Sequence, residues 1–198
     1  IVSRGGMVVS GLAIGIDTAA HQGAIQQHQE STIAVLGSGL PQIYPSCNQG
    51  LAQQIVQTGG LLLSKFYPDS RAFPANFIDR NRIIAGLAEH VPVIEASNKS
   101  GSRVTARYAL EQGKELHVVP GDFFSPAYLG SNQLIKNGAN VFTQISDLDE
   151  FLPPQEIELS EAQRVFSDAE KAILSLLAER GIVSLDDILQ LMTPSHSL

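Results

Sequence analysis

The residues with the clearest chemical potential form a short basic loop near the middle of the chain. Lys99, Ser100, Gly101, Ser102 and Arg103 follow an apolar run and open a helical pattern. Small residues at a helix N-terminus present backbone N–H groups and hydroxyls to an anion, and two neighbouring cations add positive charge. The pattern therefore predicts a site for phosphate or a similar anion, with a plain helix cap as the structural alternative.

Two glycine-rich loops follow the first two apolar runs. The first contains Ser10, Gly11 and Gly15, and its glycines are expected to leave amides free for phosphate. A tight strand-to-helix turn is the alternative. The second loop, residues 37–41, lacks a lysine and does not match the phosphate loop of nucleotide triphosphatases. Nucleotide hydrolysis is therefore not expected.

Two arginines lie close together on a predicted helix. Arg80 and Arg82 are two residues apart and so point to different faces. One is expected to reach a phosphate while the other braces the fold through an acid such as Asp79 or Glu95. A surface charge or a structural ion pair is the alternative for each.

Two further groups of side chains have competing interpretations. Asp17 and His21 share a helix face, and a helix-stabilising pair is favoured over a metal site because the sequence supplies no third ligand nearby. Tyr67, Phe73 and Phe77 are candidates for stacking on bases, with core or loop anchors as the alternative.

Short β-branched runs alternate with helical patterns along most of the chain, which predicts an α/β fold. We expect an extended Rossmann-like parallel sheet flanked by helices over residues 1–152, a linker at 153–166, and a small helical module from 167 to 198. Both ends of the chain are interpreted as cut. The predicted strands are 7–10, 32–36, 61–63, 91–95, 115–119 and 140–142, and the predicted helices are 17–27, 49–58, 76–89, 101–112 and 128–136.

Charge is unevenly distributed along the chain. The net charge is −7, but residues 146–198 hold eleven acids and three bases, whereas residues 1–145 hold nine acids and ten bases. The acidity therefore belongs to the C-terminal part and does not argue against nucleic-acid binding by the main domain. No apolar run approaches the roughly 20 residues of a membrane span. The single Cys47 excludes an internal disulfide and fits a cytoplasmic protein.

Taken together, the motifs resemble the bacterial DNA-processing protein family DprA, also called Smf, over residues 7 to about 150. They occur in the order and spacing of that family, and the combination is specific although no single motif is. The matching residues are 9–13, 15–17, 20–21, 33–37, 39–40, 44–45, 73–74, 76–77, 80–87, 93, 95–96, 100–102, 105–106, 110–113 and 119–121.

The resemblance implies a single-stranded DNA-binding protein, not an enzyme, that protects incoming strands in natural transformation and helps to load the RecA recombinase. It further implies a homodimer, with neither cofactor nor metal. The phosphate contacts predicted from the resemblance and from the basic loop are Ser10, Gly11, Gly15, Arg80, Arg82, Lys99, Ser100, Gly101, Ser102, Arg103 and Thr105.

The sequence departs from the family pattern in several places. Ile14 stands where the family commonly has an arginine, and Lys65 stands where an acid is usual. From the resemblance, the family's upstream strand and its glycine-serine-arginine loop are expected to be missing from this chain. The C-terminal module resembles the start of the family's winged helix, and its acidity favours a regulatory or partner role over DNA binding.

Two alternatives remain open at this point. The first is a nucleoside-monophosphate phosphoribohydrolase of the fold-related LOG type, whose motif requires a glutamate where this chain has Tyr108, with Glu111 one turn further along. The second is a module that senses a small phosphate ligand without acting on it. Release of a free base, or displacement of DNA by mononucleotides, would distinguish these alternatives from DNA binding.

Overall fold

A computed structural model describes residues 1–149, together with Leu152 and positions 170, 171, 173 and 175. The chain divides into two compact units, Ile1–Gln155 and Glu156–Leu198. The predicted linker and C-terminal helical module lie almost entirely outside the described residues, and their predictions stay untested. The first unit contains all the strands and helices named below.

Three parallel strands and two helices form the first half of this unit. The strands pair in the order β1-β2-β3, and fully buried Leu12, Leu36 and Ile55 lie in the apolar core between them and the helices. The elements are β1 (Val8–Ser10), α1 (Ile16–Gln27), β2 (Thr32–Val35), α2 (Gln49–Gln57) and β3 (Leu61–Leu63).

The second half repeats this arrangement with a separate core. Its three parallel strands pair in the order β4-β5-β6, and Val91, Val93, Leu116 and Val118 point into a cluster completed by alanines of the helices. The small alanines allow the helices to lie close to the sheet. The elements are β4 (His90–Val93), α4 (Gly101–Glu111), β5 (Glu115–Val118), α5 (Leu129–Lys136) and β6 (Asn140–Val141).

Helix α3 (Pro74–Leu87) connects the two halves. It packs on β1 and β2 of the first sheet and on α4 of the second half. Pro74 favours its start, because the fixed φ of proline suits the first helical turn and that turn leaves its N–H groups without intrahelical acceptors. The buried residues of α3 are Ala85 and, unusually for a charged side chain, Arg80.

The predicted α/β fold of parallel strands with flanking helices is confirmed, and every predicted strand and helix up to residue 142 is present. The strands form two three-stranded sheets, however, where one sheet was expected. The ends of the strands and helices move by one or two residues. Strand β4, for example, stops at Val93 instead of residue 95, because Ala96 leaves the sheet and bonds to Ser131 of α5 through both its N–H and its C=O. Among the described residues, no helix has the length and apolarity needed to cross a membrane.

Candidate functional site

The loop after β1, residues 11–15, is closed by a carboxylate from the helix that follows it. Asp17 Oδ2 accepts hydrogen bonds from the amides of Gly11 at 3.0 Å and of Ala13 at 3.2 Å. Gly15 has a φ of 96°, a backbone conformation that favours glycine. The expectation that this loop leaves its amides free for phosphate is therefore wrong at Gly11 and Ala13, because Asp17 already occupies them.

A buried asparagine from the start of α2 holds the same loop from another side. Asn48 Nδ2 donates to Leu12 O at 2.8 Å and to Thr18 Oγ1 at 2.9 Å. Thr18 Oγ1 in turn donates to Ala13 O at 2.8 Å. Asn48 could not be predicted from the sequence, since its partner Leu12 lies 36 residues away and no local motif connects the two.

Arg80 lies beneath the first loop and is only 4% exposed. Its Nη1 donates to Gly11 O at 2.7 Å and also to Val35 O at the end of β2. Gly11 has no room for a side chain, because a Cβ there would lie 2.5 Å from Nη1. Burial lowers the pKa of the Arg80 guanidinium, an effect opposed by the nearby Asp17 carboxylate. Arg80 therefore braces the loop through backbone carbonyls.

This finding corrects one expectation about the arginines. Arg80 is braced by backbone carbonyls and by Asn81 Oδ1, which accepts from Nε at 3.1 Å, and no acid accepts from it among the described residues. Asp79, proposed as an acidic partner, forms an ion pair with Lys65 instead. The positive charge that Lys65 brings to this edge of the molecule is thus partly neutralised.

Asn81 extends the contact from the first half to the second. While its Oδ1 accepts from Arg80, its Nδ2 donates to Gly101 O at 3.4 Å. A continuous chain of hydrogen bonds therefore runs from Gly11 and Val35 through Arg80 and Asn81 to the start of α4. This network joins the loop after β1 of the first sheet to the start of α4, which follows β4 of the second sheet.

The basic loop, residues 99–103, lies after β4 and includes the first turn of α4. Ser100 is the N-cap, and its Oγ accepts from Ser102 N at 3.0 Å. Arg103 Nη1 donates to Asn98 O at 2.7 Å and so fixes the loop. Lys99 is exposed and, within the described part of the chain, neither Lys99 nor Arg103 forms an ion pair. Ser100 therefore does cap the helix, as the structural alternative expected. Among the described residues, however, no carboxylate neutralises Lys99 or Arg103.

Other predicted residues occupy different surroundings. Ser10 ends β1 and is half-buried, whereas Thr105 lies in the first turns of α4 and its Oγ1 donates to Gly101 O at 3.4 Å. Arg82 is exposed on α3, and its carbonyl accepts from Gln112 Nε2, at the far end of α4, at 3.2 Å. The structure therefore brings Ser10, Gly11, Arg80 and the basic loop together, but shows no contact of the Arg82 side chain with them among the described residues.

His21 is fully buried and has a structural environment. Its Nδ1 lies 2.7 Å from Thr32 Oγ1, and since that hydroxyl donates to Val8 O, we assign the imidazole proton to Nδ1. Burial lowers its pKa to about 4, with Asp17 raising it and Arg80 lowering it further. No three His, Cys, Asp or Glu side chains within the described residues are grouped to hold a metal ion. Asp17 bonds to the amides of the loop after β1, whereas His21 bonds to Thr32. The two side chains therefore do not form the expected hydrogen-bonded pair on the helix.

The aromatic candidates divide into two kinds. Phe77 lies against Gly37, where a Cβ would be 2.6 Å from its ring, and its ring centroid is 5.4 Å from that of Tyr44. Phe77 is therefore a loop anchor. Tyr67 and Phe73 are 82% and 61% exposed and stay candidates for stacking.

Comparison with known proteins identifies one family. Residues 1–153 match the model of the DNA recombination-mediator protein A family. Protein Smf of Escherichia coli is 45% identical over 152 residues, which cover 77% of this chain and 40% of that protein. The DNA processing protein DprA of Bacillus subtilis is 40% identical over 161 residues, covering 81% of this chain and 54% of the relative. The chain thus spans about half the length of the curated relatives it matches.

Two solved structures show the same fold. DNA processing protein A from Streptococcus pneumoniae superimposes with a TM-score of 0.69 at 38% identity, covering 76% of this chain and 53% of that one. The protein from Helicobacter pylori gives a TM-score of 0.66 at 30% identity, with coverage of 76% and 69%. The H. pylori structure is described as showing a unique single-stranded DNA binding mode, a property of that protein.

Proposed function

This chain belongs to the DNA recombination-mediator protein A family, and from that membership we propose that it binds single-stranded DNA during DNA processing in natural transformation and recombination. The single-stranded DNA binding mode described for the H. pylori relative supports the choice of ligand. Phosphate contacts dominate such binding and carry no sequence information. The protein is therefore expected to bind strands of any sequence.

The observation that carries the proposal is the state of the basic loop. Lys99 and Arg103 lie beside the N-terminus of α4 without carboxylate partners in the described part of the chain. Arg103 is also held in place through Asn98 O, so its charge is positioned before any ligand arrives. Two available cations at a helix N-terminus suit the backbone of a nucleic acid, because both the helix dipole and the side chains attract phosphate.

Arg80 has a positioning role in this proposal. Its guanidinium is almost fully covered and holds Gly11 O and Val35 O, so it orders the loop that lies beside the bound strand. Lys99 and Arg103 supply the charge for the phosphates. The Gly11 amide is already bonded to Asp17 and is left out of the proposed contacts. The remaining predicted contacts, untested as yet, are Ser10, Gly15, Arg82, Ser100, Gly101, Ser102 and Thr105.

The wider role forms part of the same proposal. We propose in addition that the protein is a cytoplasmic homodimer that protects incoming strands and passes them to the RecA recombinase. The chain is proposed to act by binding without catalysis. In the LOG-type alternative, the position of the required glutamate is taken by Tyr108, which packs against the core, and Glu111 pairs with Arg107 at the opposite end of α4 from the basic loop.

A direct competition experiment tests the proposal. Labelled oligo-dT of about 15 nucleotides, a length within the range that single-strand-binding proteins cover, is titrated with the protein and then challenged with unlabelled competitors. Oligo-dT is expected to displace the label, whereas mononucleotides and double-stranded DNA at equal nucleotide concentration are not. Displacement by mononucleotides would support the nucleotide-sensing alternative, and release of free base from them would support the LOG-type alternative.

A further inference from the structure

Two adjacent phenylalanines project from the loop that follows β5. Phe123 and Phe124 are 67% and 80% exposed, and their ring centroids lie 4.0 Å apart with an interplanar angle of 34°. Exposing two large aromatic rings side by side is unfavourable in water unless a ligand covers them. The pair is therefore a candidate binding surface that the sequence analysis did not identify.

The base of this loop is firmly held although its tip is exposed. Asn132 forms two hydrogen bonds with Gly121, accepting from its N–H at 3.2 Å and donating to its C=O at 2.9 Å. The Tyr128 ring packs so closely on Gly121 that a Cβ there would lie 2.1 Å from it. At the tip, Asp122 Oδ1 accepts from Phe124 N at 2.9 Å. The two phenylalanines are thus presented by a structured turn.

The start of α5, which holds this loop, also holds Ala96 and Ser97, the residues that lead into the basic loop. Ser131 bonds to Ala96 in both directions, with Ser131 N donating to Ala96 O at 3.0 Å and Ala96 N donating to Ser131 Oγ at 2.9 Å. Gly130 approaches Ser97 O so closely that a Cβ would lie 2.4 Å from it. Because β4 and β5 are hydrogen-bonded neighbours that run parallel, their following loops leave the same edge of the sheet.

We propose that Phe123 and Phe124 form a platform on which bases of the bound strand stack, while Lys99 and Arg103 contact its phosphates. This inference rests on the proposed binding of single-stranded DNA. Aromatic rings stack on every base, so the platform adds affinity without sequence preference. It also discriminates against double-stranded DNA, whose bases already stack on each other. The uncharged rings suit the bases of the strand, and the neighbouring cations suit its phosphates.

Comparing an oligonucleotide with and without bases isolates the stacking. The full chain and the double variant Phe123→Ala/Phe124→Ala are titrated with oligo-dT and with an abasic strand of the same length. The variant is expected to bind oligo-dT about tenfold more weakly, the loss expected for one stacked base, and to bind the abasic strand as the unmodified chain does. Leu61→Ala is the matched control, since Leu61 is half exposed at the start of β3, in the other sheet.

Fluorescence supplies a second readout that loss of folding cannot imitate. The chain has no tryptophan, so Phe124→Trp introduces a single indole at the platform. Oligo-dT is expected to quench its fluorescence, and the abasic strand is not. Such quenching requires contact between the indole and a base.

The possible outcomes separate this inference from the proposed function. If the unmodified chain binds neither strand, the proposed function fails. If oligo-dT binding persists in the double alanine variant and the Phe124→Trp indole is not quenched, the platform is wrong while the proposed function stands. If the double alanine variant loses affinity equally for oligo-dT and for the abasic strand, the platform is also wrong. If its oligomeric mass changes while its DNA affinity does not, the two phenylalanines form a contact between copies of the chain, which would likewise overturn the platform.

Discussion

Replacing Arg80 tests whether this buried cation organises the loop after β1. In Arg80→Met the side chain keeps a similar apolar length but cannot donate, so Gly11 O and Val35 O lose their hydrogen bonds from Nη1. Leaving a buried carbonyl without a donor costs about 1–3 kcal/mol. Removing the desolvation cost of the guanidinium offsets part of the total for two carbonyls, and we expect a net destabilisation of about 3 kcal/mol.

Urea unfolding followed by circular dichroism measures this effect. In a separate thermal unfolding experiment, the melting temperature should fall by about 6–12 °C, because a chain of this size loses roughly 2–4 °C per kcal/mol. Arg82→Met is the matched control, because Arg82 is exposed on the same helix and its loss should change stability by less than about 0.5 kcal/mol. If both variants unfold at the same urea concentration, the Arg80 guanidinium does not hold the loop and the reasoning is refuted.

Two further predictions concern the surroundings of Arg80. Gly11→Ala places a Cβ against the guanidinium and should destabilise by about 1–3 kcal/mol, whereas Gly23→Ala, in open space within α1, should stabilise by about 0.5–1 kcal/mol in the same urea assay. The pKa of His21 is about 4 in the folded chain against an ordinary value of 6.5. Its contribution to stability is therefore complete above pH 6.5 and declines as the pH falls towards 4, by up to about 3 kcal/mol. His21→Gln should flatten the pH profile of unfolding between pH 6.5 and 5, and a profile as steep as that of the unmodified chain would contradict the assignment.

The strands and helices could be predicted because their signals are local. Apolar β-branched runs such as Thr32–Val35 and Val8–Ser10, separated by helical patterns, specify parallel strands with crossover helices. The basic loop was also visible, since Ser100 caps a helix that begins one residue later. Both features depend on residues adjacent in sequence.

The internal organisation of the site could not be predicted, because it depends on contacts between distant residues. Asn48 reaches Leu12 across 36 positions, and Arg80 reaches Gly11 across 69. Arginines are ordinarily exposed, so only the structure shows that Arg80 is buried while Arg82, two residues later, is not. The role of Asp17 also depends on the fold, because only the structure shows that its carboxylate, in the first turn of α1, accepts from the loop amides.

The salt dependence of DNA binding tests the central claim most directly. Fluorescence anisotropy of labelled oligo-dT is measured across a salt series for the unmodified chain, for Lys99→Ala/Arg103→Ala, and for Lys114→Ala/Lys136→Ala, which removes the same charge before β5 and at the end of α5. For single strands the slope of log affinity against log salt is about −0.7 per phosphate contacted. We predict weaker binding and a slope shallower by about 1.4 for the basic-loop variant alone. Equal affinity and slope in all three proteins would contradict the assignment of the phosphate contacts to Lys99 and Arg103.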